Sequence, residues 1–164
     1  MFSRCSECIR SDAAAGLVSY GFLGFDIPNK KATIYNGGTS PFNATTLEGV
    51  GATVVAVLST PEKFKNKNIR VHDFFVSQND ILAALEAETG SKFEITEVDA
   101  DKLKNGSESG LRSGDWGQQN IFGSIVGSVF ATDGASKWGT SDDSASVGLS
   151  EKDLKTVVKK VASA

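Results

Sequence analysis

Long apolar runs are missing from this sequence. Its best candidates, GATVVAVL and IFGSIVGSVFA, fall well short of the roughly eighteen apolar residues that mark a membrane-crossing helix, so no membrane partner is expected. A basic excess is missing too. The 17 Lys and Arg residues against 20 Asp and Glu, net charge −3, give no field that would gather nucleic-acid phosphate, and the small lysine groups at 63–67 and 155–160 read as solvated faces. Histidine occurs once and cysteine twice. Cys5 and Cys8 form a C-x-x-C, a spacing that suits a redox pair or half of a zinc site. No second Cys pair exists to complete a zinc site, the only histidine is His72, and no strand precedes the motif as a thioredoxin-like arrangement requires. They are read as ordinary thiols in a poorly structured segment, 1–19. Residues 1–16 lack the apolar stretch of a secretory signal, which with the scarcity of cysteine points to a reducing, cytoplasmic setting. No repeat of twenty to fifty residues is visible.

What is present is glycine at suggestive places. In IYNGGTSPFNATTLEGVGATVV a glycine pair directly follows a strand candidate and leads toward a helix, the layout of a dinucleotide-binding turn, where backbone must approach a pyrophosphate at a helix N-terminus. The spacing fails on inspection. After Gly37 and Gly38 the continuation needs glycine at 40 or 41, where Ser40 and Pro41 stand. Gly49 and Gly51 make a G-x-G, but the third position is Val54 and the motif lies beyond the turn. Asp73 lies at about the separation of a ribose-binding acid, yet acidic residues are common enough here for coincidence. Gly37 and Gly38 therefore read as a turn, the later glycines as allowance for close helix packing, and no residue is assigned to cofactor binding or catalysis.

Capping boxes, in which a hydroxyl and an acidic side chain three residues later satisfy free N–H groups, predict three helix starts: Thr45 with Glu48, Ser77 with Asp80, and Ser150 with Asp153. The helices should cover 46–59, 78–89 and 151–162. The first, apolar on more than one side, is expected to be buried between layers; the second should stop at Gly90 in a left-handed C-cap. Strand candidates are 32–35, 68–75 and 93–98. Asp99 should cap a short helix ending at Asn105-Gly106. A Gly- and Ser-rich stretch holding Trp116, an apolar element over 121–130, and a further small-residue stretch holding Trp138 follow; loops this long commonly cover a pocket. Strand alternating with helix predicts an α/β fold with short, mainly parallel strands and crossover helices.

Residues 20–164 resemble the C-terminal half of the fungal NmrA-like, isoflavone-reductase-like proteins. The resemblance rests on the Gly37-Gly38 turn and Glu48, on Arg70-Val71-His72, on NDILAALEAETG at 79–90, and on the closing SVGLSEKDLKTVVKKV. It implies a fragment of a Rossmann-like fold with a helical, loop-rich substrate-side region, and an NAD(P)H-dependent oxidoreductase reducing a small aromatic or polyketide-type metabolite, with fungal secondary metabolism as the expected setting. The family's Gly-rich cofactor loop and catalytic lysine belong to a stretch this chain does not contain, so it reads as a truncated or divergent member; a non-catalytic ligand- or partner-binding module is the alternative. Tyr20, Phe22 and Phe25 fall in the segment bordering the substrate cleft of such proteins, and Trp116, Phe122 and Phe130 could line it from the variable stretch; core packing is the competing account. His72 is a possible acid or base or a structural histidine. A sheet edge left open by the missing half would invite a protein partner or a homodimer.

Overall fold

The computed structural model describes residues 23–133 and 142–162, the side chain of Val161 excepted. The expectations placed on Cys5, Cys8, Tyr20, Phe22 and Trp138 lie outside the described residues. The fold is mixed α/β with two small sheets. Strands β1 (Phe25–Asp26), β2 (Lys31–Tyr35) and β5 (Glu94–Val98) form one sheet in the order β1-β2-β5, and β3 (Phe42–Ala44) pairs with β4 (Phe74–Val76) in the other. Only β2 and β5 run parallel, with Ala32 opposite Ile95 and Ile34 opposite Glu97; β1–β2 and β3–β4 are antiparallel. The expected mainly parallel arrangement is thus corrected. Residues 68–75 do not form a long strand; only Phe74–Val76 does, and it pairs with β3 instead of joining β2.

Six α-helices accompany the sheets among the described residues: α1 (Leu47–Ser59), α2 (Pro61–Phe64), α3 (Gln78–Thr89), α4 (Ala100–Arg112), α5 (Gln118–Phe130) and α6 (Leu154–Ala162). None is long and apolar enough to cross a membrane. The Ser77–Asp80 capping box is present in full, and Gly90 takes the left-handed C-cap with φ 62°. The other two helix starts are displaced. Thr46, not Thr45, caps α1 by accepting from Gly49 N–H, while the Thr45 hydroxyl donates to the Val71 carbonyl. Asp153, not Ser150, closes α6, its carboxylate accepting from the Thr156 N–H and hydroxyl.

Helix α4 runs through Asn105-Gly106 to Arg112, since tertiary packing outweighs the breaking tendency of that dipeptide. Small residues let α4 and α5 lie against each other: Gly123 faces Ser107, Gly127 faces Lys104 and Gly110 faces Asn120. The core joins Phe25, Ile34, Tyr35, Phe42, Leu85, Phe93, Val126 and Phe130. Within it Phe130 stacks on Tyr35 at 4.9 Å and meets Phe42 edge-on at 5.2 Å, a geometry that adds to simple burial. Gln78, fully buried, ties α3 to the sheet: its Oε1 accepts from Tyr35 N–H, and its Nε2 donates to the Leu23 and Thr33 carbonyls. Helix α1 contributes nothing to the core, which overturns its expected burial between layers.

Candidate functional site

Where an anion or a polar ligand could sit in this fold depends on which helix N-termini remain open, because each begins with unsatisfied N–H groups and a partial positive charge. Three of the long helices are closed by their own neighbours. At α1, the Asp73 carboxylate accepts from Thr46 N–H at 2.8 Å and from the Thr46 hydroxyl at 2.5 Å, and the hydroxyl in turn accepts from Gly49 N–H. At α3 the Ser77–Asp80 box fills the end. At α4 Asp99 accepts from Lys102 N–H, and the Asn36 carboxamide accepts from Ala100 N–H.

The α1 end also decides the question raised by the glycine-rich stretch. The position a dinucleotide phosphate would need is taken by a carboxylate of the protein itself. Gly49 exists to admit it, since a Cβ there would stand 2.5 Å from Asp73 Oδ2. Gly38 likewise makes room for Asn79 and Ile34, not for a ligand. The α1 end therefore does not fit a dinucleotide phosphate.

Asp73 is fully buried. Lys152 lies 3.7 Å from its Oδ2, donates to the Thr46 hydroxyl at 3.0 Å, and bonds Glu48 at 2.9 Å. The hydrogen bond from Lys152 holds Glu48 below its ordinary carboxylate range. Asp73 Oδ1 is buried without a hydrogen-bond partner, and the nearby ammonium offsets its charge. This cluster joins residues 46, 48, 73 and 152 into a strut that fixes α1. Asp73 is thus a paired, buried charge.

Beside it, His72 is buried and clamped. Its Nδ1 rests against Asp142 Oδ2 in a close contact without hydrogen-bond geometry, and Nε2 stands 4.0 Å from Glu151 Oε1. Its backbone N–H donates to the Ser144 hydroxyl, which also bonds Asp142. Among the described residues the ring nitrogens face carboxylates, the geometry of a structural histidine holding 142–151 to the body.

Helix α5 differs from these. Gly117 stands at its N-cap and no side chain closes the end. Asp115 accepts from Gly117 N–H at 3.0 Å, and Gly117 O accepts from Asn120 and Ile121 N–H, which leaves the N–H groups of Gln118 and Gln119 in the first turn without an intrahelical acceptor. Around them lies an open groove lined by Gly117, Gln118, Gln119 and Phe122, with the exposed Trp116 next in the chain. Free backbone donors, two carboxamides and two aromatic side chains suit a flat ligand bearing a carbonyl, phenolic or carboxylate oxygen.

The aromatic residues singled out in the sequence take different places. Phe122 lines the groove while packing against the core, Trp116 is exposed just before Gly117 in the chain, and Phe25 and Phe130 are buried in the core. Gln118 and Gln119 were invisible to sequence reasoning because a glutamine pair carries no signal until an uncapped helix end is seen beneath it. No cluster of His, Cys, Asp and Glu suited to a metal ion occurs among the described residues.

No protein-family model matches the chain. Over 95 residues, 58% of its length, it is 34% identical to a protein named oxidoreductase poxI from Penicillium oxalicum. Over 83 residues, 51% of its length, it is 40% identical to oxidoreductase aprR from Aspergillus flavus. These matches cover 30% and 28% of the two relatives, so the chain spans about three-tenths of the length of the curated relatives it matches.

Proposed function

We propose that this chain forms the substrate side of an NmrA-like, isoflavone-reductase-type oxidoreductase that uses NAD(P)H to reduce a small aromatic or polyketide-type metabolite. The similarity to two fungal proteins named oxidoreductases is the observation that carries it. The α5 groove supports the substrate assignment: Phe122 and Trp116 supply aromatic contact, and the Gln118 and Gln119 N–H groups face the ligand oxygen. Hydride transfer requires a nicotinamide held by phosphate contacts, and the N-termini of α1, α3 and α4 are closed to such contacts by side chains of the protein. The chain then binds and orients substrate while the cofactor is held elsewhere.

Calorimetric titration with a flat phenol such as 2-naphthol tests the groove. Binding is expected, weakened about tenfold, ~1.4 kcal/mol, by Phe122→Ala and by Trp116→Ala. NADPH in the same cell is expected to give no heat. Naphthol binding unaffected by either substitution, or none up to millimolar ligand, removes the groove from the proposal.

A second reading, a binding module without chemistry, draws on the make-up of the groove, whose lining residues include no acid, base or nucleophile. A stable protein partner co-purifying with the chain favours it, and β5, which pairs on one side only in the described sheet, is an edge such a partner or a second copy could use.

A further inference from the structure

Two Asn-Gly dipeptides stand in the sequence, Asn36-Gly37 and Asn105-Gly106. Asparagine is thermolabile, most of all before glycine, which has no side chain to keep its own nitrogen from the asparagine Cγ. The fold treats the two differently. Asn105 and Gly106 lie inside α4, where the Gly106 N–H belongs to the helical ladder and α5 packs alongside. Asn36 and Gly37 sit in an exposed turn after β2, Asn36 at φ 49° and Gly37 at φ 72°, with open space where a Gly37 side chain would be.

What holds Asn36 is its own carboxamide. Nδ2 donates to Asp101 Oδ2 at 2.8 Å and to the Phe130 carbonyl at 3.4 Å, and Oδ1 accepts from Ala100 N–H at 2.9 Å. One side chain thus joins the end of β2 to the first turn of α4 and the last residue of α5. Asp101 also accepts from the Thr132 N–H and hydroxyl. These bonds, with the one from Asn36, hold its carboxyl below the ordinary range, so it is charged at neutral pH.

We propose that Asn36 is a deamidation site, and that its conversion to an acid is a one-way release of the α4–α5 pair from β2. The Gly37 nitrogen bonds to Asn36 Cγ, the amide leaves as ammonia with the Gly37 proton, and water opens the resulting imide to aspartate or isoaspartate. One water enters, one ammonia departs, and nothing is oxidised or reduced. Ring closure needs the carboxamide to leave its partners, so opening of this junction sets the rate. The product cannot return to the same place. A carboxylate has no N–H for Asp101 or for the Phe130 carbonyl, and its charge would face that of Asp101 with Asp99 close by. Helices α4 and α5 keep their own contacts at Gly123 and Gly127, so they loosen together and carry the α5 groove with them. None of this depends on the proposed function.

The test holds the purified 164-residue chain in warm, mildly alkaline buffer and follows amide loss at residues 36 and 105 by peptide mass spectrometry. Loss at 36 is expected to outrun loss at 105, and to quicken relative to 105 about tenfold in Asp101→Ala, which removes a charged hydrogen-bond partner. The modified fraction of the unsubstituted protein, separated by ion exchange, should show faster hydrogen exchange across the first turn of α4. Asn36→Asp should lower the thermal midpoint by several degrees, and adding Asp101→Asn, which sets a donor opposite the new acceptor, should recover most of that loss. Amide loss at 36 no faster than at 105, or unmoved by Asp101→Ala, overturns the inference. So does a modified fraction that exchanges like the unmodified one, or an Asn36→Asp midpoint that Asp101→Asn leaves where it was.

Discussion

Asp73 reaches the first turn of α1 only because residue 49 is glycine: an added Cβ would stand 2.5 Å from one carboxylate oxygen and 2.9 Å from the other. Asp73→Ala removes the acceptor for the Thr46 N–H and hydroxyl and leaves Lys152 facing a neutral cavity, a change expected to cost about 3 kcal/mol. Asp73→Asn keeps an acceptor and should cost about half as much. Gly49→Ala gains about 1 kcal/mol of helix propensity, but displacement of the buried carboxylate outweighs it, and the variant should be less stable. Urea unfolding of the three variants gives the order.

Acid should destabilise the fold through its caps. Hydrogen bonds from the Ser77 hydroxyl and N–H hold Asp80 below its ordinary range; the Lys102 N–H does the same for Asp99, and the Thr156 hydroxyl and N–H for Asp153. Each folded pKa lies under the unfolded value of about 3.9. The stabilisation is therefore complete above that pH and is lost as pH falls through the folded values. Thermal midpoints measured from pH 7 to pH 2 should drop progressively below about pH 4. Ser77→Ala, costing about 1 kcal/mol at neutral pH, should make the drop shallower.

Gly127→Ala sets helix propensity against packing. The added methyl would meet Lys104 Cβ and the α4 backbone, which cannot rotate away, so α4 and α5 must separate. Overpacking typically costs about 1–3 kcal/mol against a propensity gain of about 1, and a net loss is expected by calorimetric unfolding. Gly106→Ala, where a Cβ meets open space, should instead stabilise by about 1 kcal/mol.

Phe130→Ala removes the ring that Tyr35 and Phe42 pack against and should cost about 3–5 kcal/mol. Trp116→Ala, at a side chain 69% exposed, should leave stability within about half a kcal/mol while weakening naphthol binding. Parallel unfolding and binding curves for the two variants distinguish a core aromatic from a ligand-facing one.

Local chemistry was readable in advance. The Ser77–Asp80 box, the Gly90 stop, and strands at 32–35 and 93–98 follow from nearest neighbours in sequence, and the structure has them with ends shifted by one residue. Caps at adjacent hydroxyls were harder: Thr45 and Thr46 are equivalent on paper, and only the distant Asp73 makes Thr46 the one that closes α1. Residues 68–75 look like a strand because aromatic and β-branched residues crowd there, yet Arg70 and His72 spend their backbone groups on Asp143 and Ser144, leaving three residues to pair with β3. The Asn105-Gly106 dipeptide signals a stop that packing against α5 overrides. Aromatic content alone could not tell Phe130 from Phe122, which lie on one helix with one buried and the other on the groove. Helix α1 was legible as a helix but not as an outward-facing one, because that depends on a carboxylate contributed from residue 73 and an ammonium from residue 152.

The parallel pairing of β2 with β5 carries a consequence for synthesis. Tyr35 leaves the ribosome about sixty residues before its partner Val98, a wait of several seconds at about 5–20 residues per second. Through that interval, among the described strands, β2 can pair only with β1, by a register of two residues, and its other edge stays open to any passing strand. Lys31, at the start of that edge, and the neighbouring Lys30 are the charges placed to discourage such encounters. Translation slowed between residues 36 and 98 would lengthen the exposure, and the yield of soluble protein should track codon choice in that window more closely than anywhere else in the gene.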